Sequence, residues 1–254
     1  ARQVRRLALL MLAGSLVLMV TALYFGIEIK GSRRWIHVLG VSVQPSEYMK
    51  PGFVVICAWL FSEHARRPDV PGNLFAIILL GLVLALLVAQ PDLGQSLLVL
   101  ATWGVMFFMA GMPWFWIVML GGAAMGIGVA AYTTFPHVAA RIDRFVTGEG
   151  DTFQVDMGRE ALVRGGWLGQ GPGEGSVKRI LPDSHTDFVF SVAGEEFGLI
   201  LCLLIAGLFA FVVLRGLSHS MKESDECSRY AVSGLVVLFG FQSIINMGVN
   251  LQLL

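Results

Sequence analysis

The stretch RILPDSHTDFVFSVAGEEFG, residues 179–198, gathers four carboxylates and a histidine at the start of a long apolar run. Three residues in it are suited to cap a helix that begins near Phe188: Asp183, Ser184 and Thr186. Asp187 is then not required as the cap, and we expect its carboxylate to be an active-site group, with structural capping as the alternative. His185 is expected to orient Asp187 or to contact a substrate, unless it only hydrogen-bonds the loop backbone.

A helix drawn at about 100° per residue from this point places small residues beneath Asp187. They are Ser191, Gly194 and Gly198. Small side chains on one face form a groove, which we expect to accept either a neighbouring helix or an elongated ligand. Glu195 lies to one side of this face and Glu196 nearly opposite it, so the two glutamates are not expected to form one site.

Two further charged clusters lie at the ends of apolar runs. In VQPSEYMKPG, Glu47 and Lys50 are three residues apart and share one face of a helix, while Pro51 removes a backbone donor. A charged pair beside a broken helix at membrane depth is typical of a cavity lining, with a surface ion pair as the alternative. In AQPDLGQS, Asp92 precedes an apolar helix and Gln95 follows three residues later, a capping pattern that leaves a functional role open.

The elements that position these residues are membrane helices. Hydrophobic residues make up 56% of the chain and charged residues 14%, and the mean hydropathy is +0.72. Six runs come close to the length that crosses a bilayer and one is shorter: 7–27, 73–90, 93–111, 113–133, 188–214 and 230–254, and then 52–62. We therefore predict an all-α polytopic membrane protein with about seven transmembrane helices, forming a single membrane domain over residues 1–254.

The polar segments between these runs indicate where the chemistry lies. Residues 28–50 and 134–187 fall on the same side of the membrane, because four apolar runs separate them. The segment 134–187 is too long for a structureless connection, so we predict re-entrant or amphipathic elements in it. Its glycine-rich part favours a tightly turned structural loop over a phosphate cradle, since no Gly-Lys-Ser/Thr follows. Lysine and arginine are nearly balanced between the two sides, so they do not orient the chain.

Composition also excludes several classes of function. The formal net charge is zero and no basic stretch is interleaved with aromatic residues, so we predict no nucleic-acid binding. The three cysteines have neither the spacing of a metal site nor that of a disulfide framework. The chain begins at Ala1 and ends within an apolar run at Leu254, so we expect a fragment of a longer protein.

Several motifs in the same order resemble the SEDS family of shape, elongation, division and sporulation proteins. They are GSRRWIHVLGVSVQPSEYMK, AQPDLGQSLLVLATWGVMFFMAG, GRE with GGWLGQGPGEG, and LPDSHTDFVFSVAGEEFG. RILPDSHTDF and INMGVNLQLL are more similar to the division-specific FtsW branch than to the RodA branch. The resemblance covers essentially the whole chain and implies a ten-helix fold, of which this chain holds about seven, with the large loop 134–187 in the periplasm.

The resemblance implies a peptidoglycan glycosyltransferase that polymerises lipid II into β-1,4 glycan strands during septal cell-wall synthesis. It makes Asp187, the aspartate of the His-Thr-Asp-Phe motif, the general base. Glu47 and Lys50 match the glutamate and lysine that follow the family's Gln-Pro pair. A lipid II flippase and a non-catalytic divisome scaffold are the alternative functions.

Binding of the lipid pyrophosphate must rely on cations near these motifs. A basic position that the family has just before the Gln-Pro pair is Ser42 here, so Arg33, Arg34 and Lys50 are the expected phosphate-binding residues. The full predicted substrate-binding set is Lys50, Glu47, Arg34, Arg33, His185 and Asp92. No protein metal site is predicted, and the only expected cofactor is a divalent cation, Mg²⁺ or Mn²⁺, bound with the pyrophosphate.

The resemblance also implies partners and a location. The expected partners are lipid II, a class B penicillin-binding protein that cross-links the product, and other membrane proteins of the divisome. The expected location is the bacterial cytoplasmic (inner) membrane at the division septum.

Overall fold

Helices form most of the described chain. A computed structural model describes residues 2–29, 32–38, 41–111, 114–134, 139, 153–180 and 187–251. The helices are α1 (Arg2–Phe25), α2 (Pro45–Arg66), α3 (Gly72–Ala89), α4 (Leu93–Met109), α5 (Trp114–Thr134), α6 (Phe153–Gly165), α7 (Val189–Ser220) and α8 (Glu226–Asn250). A single turn of 3-10 helix, Val177–Arg179, lies between α6 and α7.

Each of the seven predicted apolar runs coincides for most of its length with one helix, which confirms an all-α polytopic membrane protein. Among the described residues, α1, α3, α7 and α8 are long and apolar enough to cross a membrane, and α4 is a shorter apolar helix. The helix that carries the charged pair, α2, continues through Pro51, so the predicted break in the helix is not seen. The amphipathic element expected in the large loop is α6.

A small antiparallel sheet follows α1 and was not predicted. Its strands are β1 (Ile27–Ile29), β2 (Ser32–Val38) and β3 (Val41–Val43), in the order β1-β2-β3. The strand β2 carries the arginine pair in its second and third positions, and successive side chains in a strand point to opposite faces. The side chains of Arg33 and Arg34 therefore lie on opposite faces of the sheet, although both were predicted to bind phosphate.

The chain divides into two compact units. One comprises Ala1–Ile117 and Val213–Phe241, and the other Val118–Val212 and Gln242–Leu254.

In the first unit, α2 packs against α1, α3 and α4. Gly52 lets α1 and α2 approach closely, since a Cβ at this position would lie 3.0 Å from the Ala8 carbonyl oxygen. An aromatic cluster fills the space between α2 and α4: Phe61 lies against Trp103 and Phe107, whose stacked ring centroids are 4.5 Å apart. This apolar packing joins the later turns of α2 and α4, whereas the charged clusters lie at the beginnings of the same two helices.

In the second unit, α6 packs along the beginning of α7. A Cβ at Gly165 would lie 1.9 Å from the Gly194 carbonyl oxygen, so only glycine permits this approach. The helix α7 kinks at Gly198, where φ is 80° and ψ is −178°, a backbone region that favours glycine. The glycine-rich segment after α6 folds against this kink.

Candidate active site

Glu47, Lys50 and Gln95 form a closed ring of contacts in the first unit. The Lys50 amino group lies 2.8 Å from Glu47 Oε2 and donates to Gln95 Oε1 at 2.9 Å. The Gln95 side-chain amide donates to Glu47 Oε1 at 3.0 Å. The Lys50 side chain is only 2% exposed, whereas that of Glu47 is 38% exposed. The ring thus places a buried cation behind a carboxylate that is open to its surroundings.

Asp92 joins this ring to the sheet. Its Oδ2 lies 3.1 Å from Arg34 Nη1 and accepts from the Gln44 side-chain amide at 3.4 Å. Its Oδ1 accepts from the backbone N–H of Gln95 at 3.4 Å, which caps α4. Sequence reasoning left capping and a functional role as alternatives for Asp92, and the structure assigns this side chain both a cap and an ion pair.

Four of the predicted substrate-binding residues therefore converge in one buried polar cluster: Arg34, Glu47, Lys50 and Asp92. Gln95 connects the two ion pairs, because its backbone contacts Asp92 and its side chain contacts the glutamate and the lysine. Sequence reasoning treated Gln95 only as a helix-start signal. An amide side chain in the first turn of an apolar helix is the sequence feature that could have indicated this role.

The other predicted cation, Arg33, occupies a different environment. It is exposed on β2 and lies in register with Glu28 of β1. In this cluster, Arg34 Nε has no hydrogen-bond partner in the described part of the chain, although Nη1 of the same guanidinium pairs with Asp92. Buried donors are nearly always hydrogen-bonded in native proteins, so this N–H is available for an anionic or carbonyl ligand.

Asp187 lies at the start of α7, in the second unit, and is exposed. Its backbone carbonyl accepts hydrogen bonds from the side-chain amides of Asn250 at 2.9 Å and Asn246 at 3.2 Å. His185 and the three predicted capping residues, Asp183, Ser184 and Thr186, lie outside the described residues. Within the described residues, α8 contributes to the start of α7, because the Ser191 N–H donates to Asn250 Oδ1 at 3.1 Å.

The stripe of small residues beneath Asp187 accommodates a helix of the same chain. A Cβ at Gly158 of α6 would lie 3.1 Å from Ser191 Oγ, and a Cβ at Gly194 would lie 2.2 Å from the Leu162 side chain. Further along α7, a Cβ at Gly198 would lie 2.3 Å from the Trp167 carbonyl oxygen. Of the two predicted occupants of this groove, the neighbouring helix is therefore the one observed.

The segment after α6 replaces the hydrogen bonds that the kink in α7 breaks. A non-helical residue inside a helix leaves carbonyl and N–H groups unpaired on either side of it. The replacing bonds run from Gln170 N to Glu195 O (2.9 Å), from Gly171 N to Glu196 O (3.0 Å) and from Leu199 N to Gly166 O (2.8 Å). These donors are engaged by the chain itself, which favours the structural interpretation of the glycine-rich loop.

Glu195 and Glu196 both contact residues 176–178, Glu195 through backbone N–H groups and Glu196 through the Lys178 ammonium. That the two glutamates do not form one site stays a prediction. Glu195 is fully buried, and its Oε1 accepts from the backbone N–H groups of Ser176 at 2.7 Å and Val177 at 2.8 Å. Its Oε2 accepts from Lys178 N at 3.2 Å, while the Lys178 ammonium pairs with Glu196. Helical projection gave the directions of the two side chains but not the loop that folds around both.

Among the described residues, no group of three or more His, Cys, Asp or Glu side chains lies close enough to hold a metal ion. The divalent cation expected with the pyrophosphate stays a prediction.

These features define a polytopic helical membrane protein with a buried charge cluster in one unit and an exposed, backbone-anchored aspartate in the other. The chain belongs to the cell cycle protein family of FtsW, RodA and SpoVE, whose family model matches residues 1–254. This confirms the resemblance to the SEDS family.

Two curated relatives show the same similarity along the chain. A protein of Caulobacter vibrioides is 44% identical over 255 residues, which cover 100% of this chain and 65% of that protein. A protein of Trichlorobacter lovleyi is 35% identical over 254 residues, covering 96% of this chain and 67% of the relative. Both are named probable peptidoglycan glycosyltransferase FtsW. The chain thus spans about two thirds of the length of these relatives.

Solved structures of related proteins have the same fold. A chain of a peptidoglycan synthase complex that coordinates polymerization and crosslinking is 27% identical, with a TM-score of 0.79 over 100% of this chain and 73% of its own. The rod shape determining protein RodA of Thermus thermophilus is 27% identical, with a TM-score of 0.63 over 98% of this chain and 67% of its own.

Proposed function

We propose that the full-length protein is a peptidoglycan glycosyltransferase that polymerises lipid II, with Asp187 as the general base. The observation that carries this proposal is the exposed Asp187 at the start of α7, whose backbone two asparagine side chains anchor. A base must be accessible to substrate and fixed in position, and this arrangement meets both needs. The name shared by the curated relatives supports the same reaction class.

The reaction is a single displacement at the anomeric carbon. The Asp187 carboxylate accepts the proton of the acceptor sugar's 4-hydroxyl as the hydroxyl oxygen attacks that carbon. The bond from the anomeric carbon to the pyrophosphate oxygen breaks, and its electron pair leaves with undecaprenyl pyrophosphate. One displacement inverts the configuration, so an α-linked donor gives a β-1,4 product and one carboxylate is sufficient.

The negative charge that develops on the leaving pyrophosphate requires fixed donors. In this proposal Arg34 binds phosphate, and its Nε, which has no hydrogen-bond partner among the described residues, supports that role. Lys50 has a different part, since its ammonium is buried between Glu47 and Gln95. It holds the Glu47 carboxylate in place for contact with the sugar hydroxyls or with a phosphate-bound cation.

Partners and location follow from the same assignment. The similar chain in a peptidoglycan synthase complex supports pairing with a class B penicillin-binding protein that cross-links the glycan. The FtsW name of the relatives supports work at the division septum, with the loop 134–187 in the periplasm where the glycan strand is made.

The test is polymerisation of purified lipid II by the full-length protein together with its penicillin-binding partner. Asp187→Asn keeps the size of the side chain but removes the base, so the initial rate is expected to fall at least about 100-fold. Asp69→Asn, which alters an exposed aspartate between α2 and α3, is the matched control and is expected to polymerise normally.

Full-rate synthesis by Asp187→Asn would exclude the catalytic assignment and favour a flippase or a scaffold. Lost synthesis with an unchanged melting temperature and intact partner binding would exclude both of those alternatives.

A further inference from the structure

The side chain of Asn250 is fully buried at the end of α8 and uses all of its hydrogen-bonding capacity. Its Nδ2 donates to the backbone carbonyls of Asp187 at 2.9 Å and Asn246 at 2.8 Å. Its Oδ1 accepts from Ser191 N at 3.1 Å and from Ser191 Oγ at 2.6 Å. A carboxamide has two N–H donors and two acceptor lone pairs, so each of them is matched.

This arrangement joins two elements that are far apart in sequence. The first N–H groups of a helix have no partner within the helix and are usually capped by a residue just before it. Here the Ser191 N–H is satisfied from α8, 59 residues away. The same amide fixes the carbonyl of Asp187, 63 residues away, so both sides of the first turn of α7 are tied to one buried group.

We propose that Asn250 is a positioning residue for the glycosyl transfer, acting through the backbone of Asp187. This inference rests on the proposed function of Asp187 as general base. A peptide unit that is fixed by a buried donor restricts where its side chain can reach, and a shift of about 1 Å in a reacting group lowers the rate about 100-fold. Asn246, which is exposed, adds a longer second bond to the same carbonyl and contributes less.

Asn250→Asp is the informative substitution, because it keeps the shape and the acceptor but cannot donate to the Asp187 carbonyl. Asn250→Ala removes donor and acceptor together. In the lipid II assay with the full-length protein and its partner, we expect both variants to lower kcat about 10- to 100-fold with little change in KM. Rates are expressed per folded protein, measured as the monodisperse fraction in size-exclusion chromatography, so that poor folding does not pass for poor catalysis.

Ser191→Ala is the matched structural control. It removes the hydroxyl bond to Asn250 but leaves the bond from Asn250 to Asp187, so it is expected to lower the melting temperature while kcat stays near the wild-type value. A purely structural role for Asn250 would instead leave kcat per folded protein near the wild-type value in Asn250→Asp as well, with only its melting temperature lowered.

The double variant Asp187→Asn with Asn250→Asp separates the two proposals. If Asn250 acts through Asp187, the double variant is no slower than Asp187→Asn alone, because the second change has no base left to misplace. Full kcat in folded Asn250→Asp, beside an inactive Asp187→Asn, would overturn the positioning role and leave the proposed function intact. Full activity of Asp187→Asn would overturn the proposed function and the positioning role with it.

Discussion

Lys50 carries a charge into the interior of the first unit, where Glu47 and Gln95 accept hydrogen bonds from its ammonium. Its side chain is 2% exposed and contacts Glu47 and Gln95. Removing one partner of a buried, charge-assisted pair leaves the other poorly compensated. We therefore expect Lys50→Met, which keeps most of the apolar stem, to destabilise the protein by about 2 kcal/mol in thermal denaturation of the detergent-solubilised protein.

The double variant Glu47→Gln with Lys50→Met is expected to recover part of this loss, because it no longer contains an uncompensated carboxylate. Lys222→Met changes an exposed lysine after α7 and is expected to leave the melting temperature unchanged. Equal melting temperatures for Lys50→Met and Lys222→Met would mean that the buried ring contributes nothing to stability.

Among the elements, α6 and α7 approach so closely that there is no room between them for one added methyl group. A Cβ at Gly165 would lie 1.9 Å from the Gly194 carbonyl oxygen and 2.8 Å from the Gly194 carbonyl carbon. These are backbone atoms and cannot rotate away, so Gly165→Ala is expected to displace α6 and to cost about 1–3 kcal/mol. Hydrogen exchange of the backbone amides in residues 166–178 should then be faster than in the wild type.

Gly207→Ala is the matched control within α7, where an added Cβ meets nothing within 4 Å. Alanine is a better helix former than glycine, so this variant is expected to be neutral or stabilised by up to about 1 kcal/mol. Unchanged exchange in residues 166–178 of Gly165→Ala would contradict the observed packing of α6 on α7.

At the scale of the whole molecule, an ion pair ties the end of α2 to the loop between α7 and α8, which is distant in sequence. Asp225 lies 2.5 Å from Arg66 and also accepts hydrogen bonds from the Ser228 hydroxyl and backbone N–H. The Ser228 hydrogen bonds first, and then Arg66, lower the pKa of Asp225 below the usual aspartate value of 3.8. A lowered folded-state pKa adds stability above the unfolded-state value, and this stability is lost as the pH falls through the folded-state value.

The melting temperature of Asp225→Asn is therefore expected to lie below that of the wild type at neutral pH. The gap should close as the pH falls below 3.8, because the wild-type carboxyl becomes protonated there. Asp69→Asn, in the loop between α2 and α3, is expected to follow the wild type at every pH. A gap between Asp225→Asn and the wild type that stays constant from neutral to acidic pH would refute the role of the carboxylate charge.

Much of the fold could be predicted because its helices are specified by the hydropathy and spacing of residues that are close in sequence. The seven apolar runs predicted seven of the helices, and the spacing of Glu47 and Lys50 predicted their contact on one face of α2. The sheet β1-β2-β3 escaped prediction because its strands are only three to seven residues long and lie in a segment defined by its polarity. Strand pairing depends on partners that local periodicity does not specify.

The candidate site shows the same contrast between local features, which were predicted, and contacts between distant residues, which were not. Spacing and capping patterns identified Glu47, Lys50 and Asp92, and the family resemblance pointed to Arg34, whereas Gln95 was interpreted only as a helix-start signal. The role of Asn250 was missed altogether, since an asparagine within an apolar helix gives no indication of which distant backbone group its amide will contact.

The class of protein, its helices and most charged groups at the site could be inferred from local sequence, because hydropathy, periodicity and capping act between near neighbours. The tertiary structure alone decided which groups meet. It paired Lys50 with Gln95 across 45 residues and Asn250 with Asp187 across 63, and it filled the small-residue stripe of α7 with α6. A buried polar group must find a partner wherever the packing of the apolar faces brings one, and that packing is a property of the whole chain.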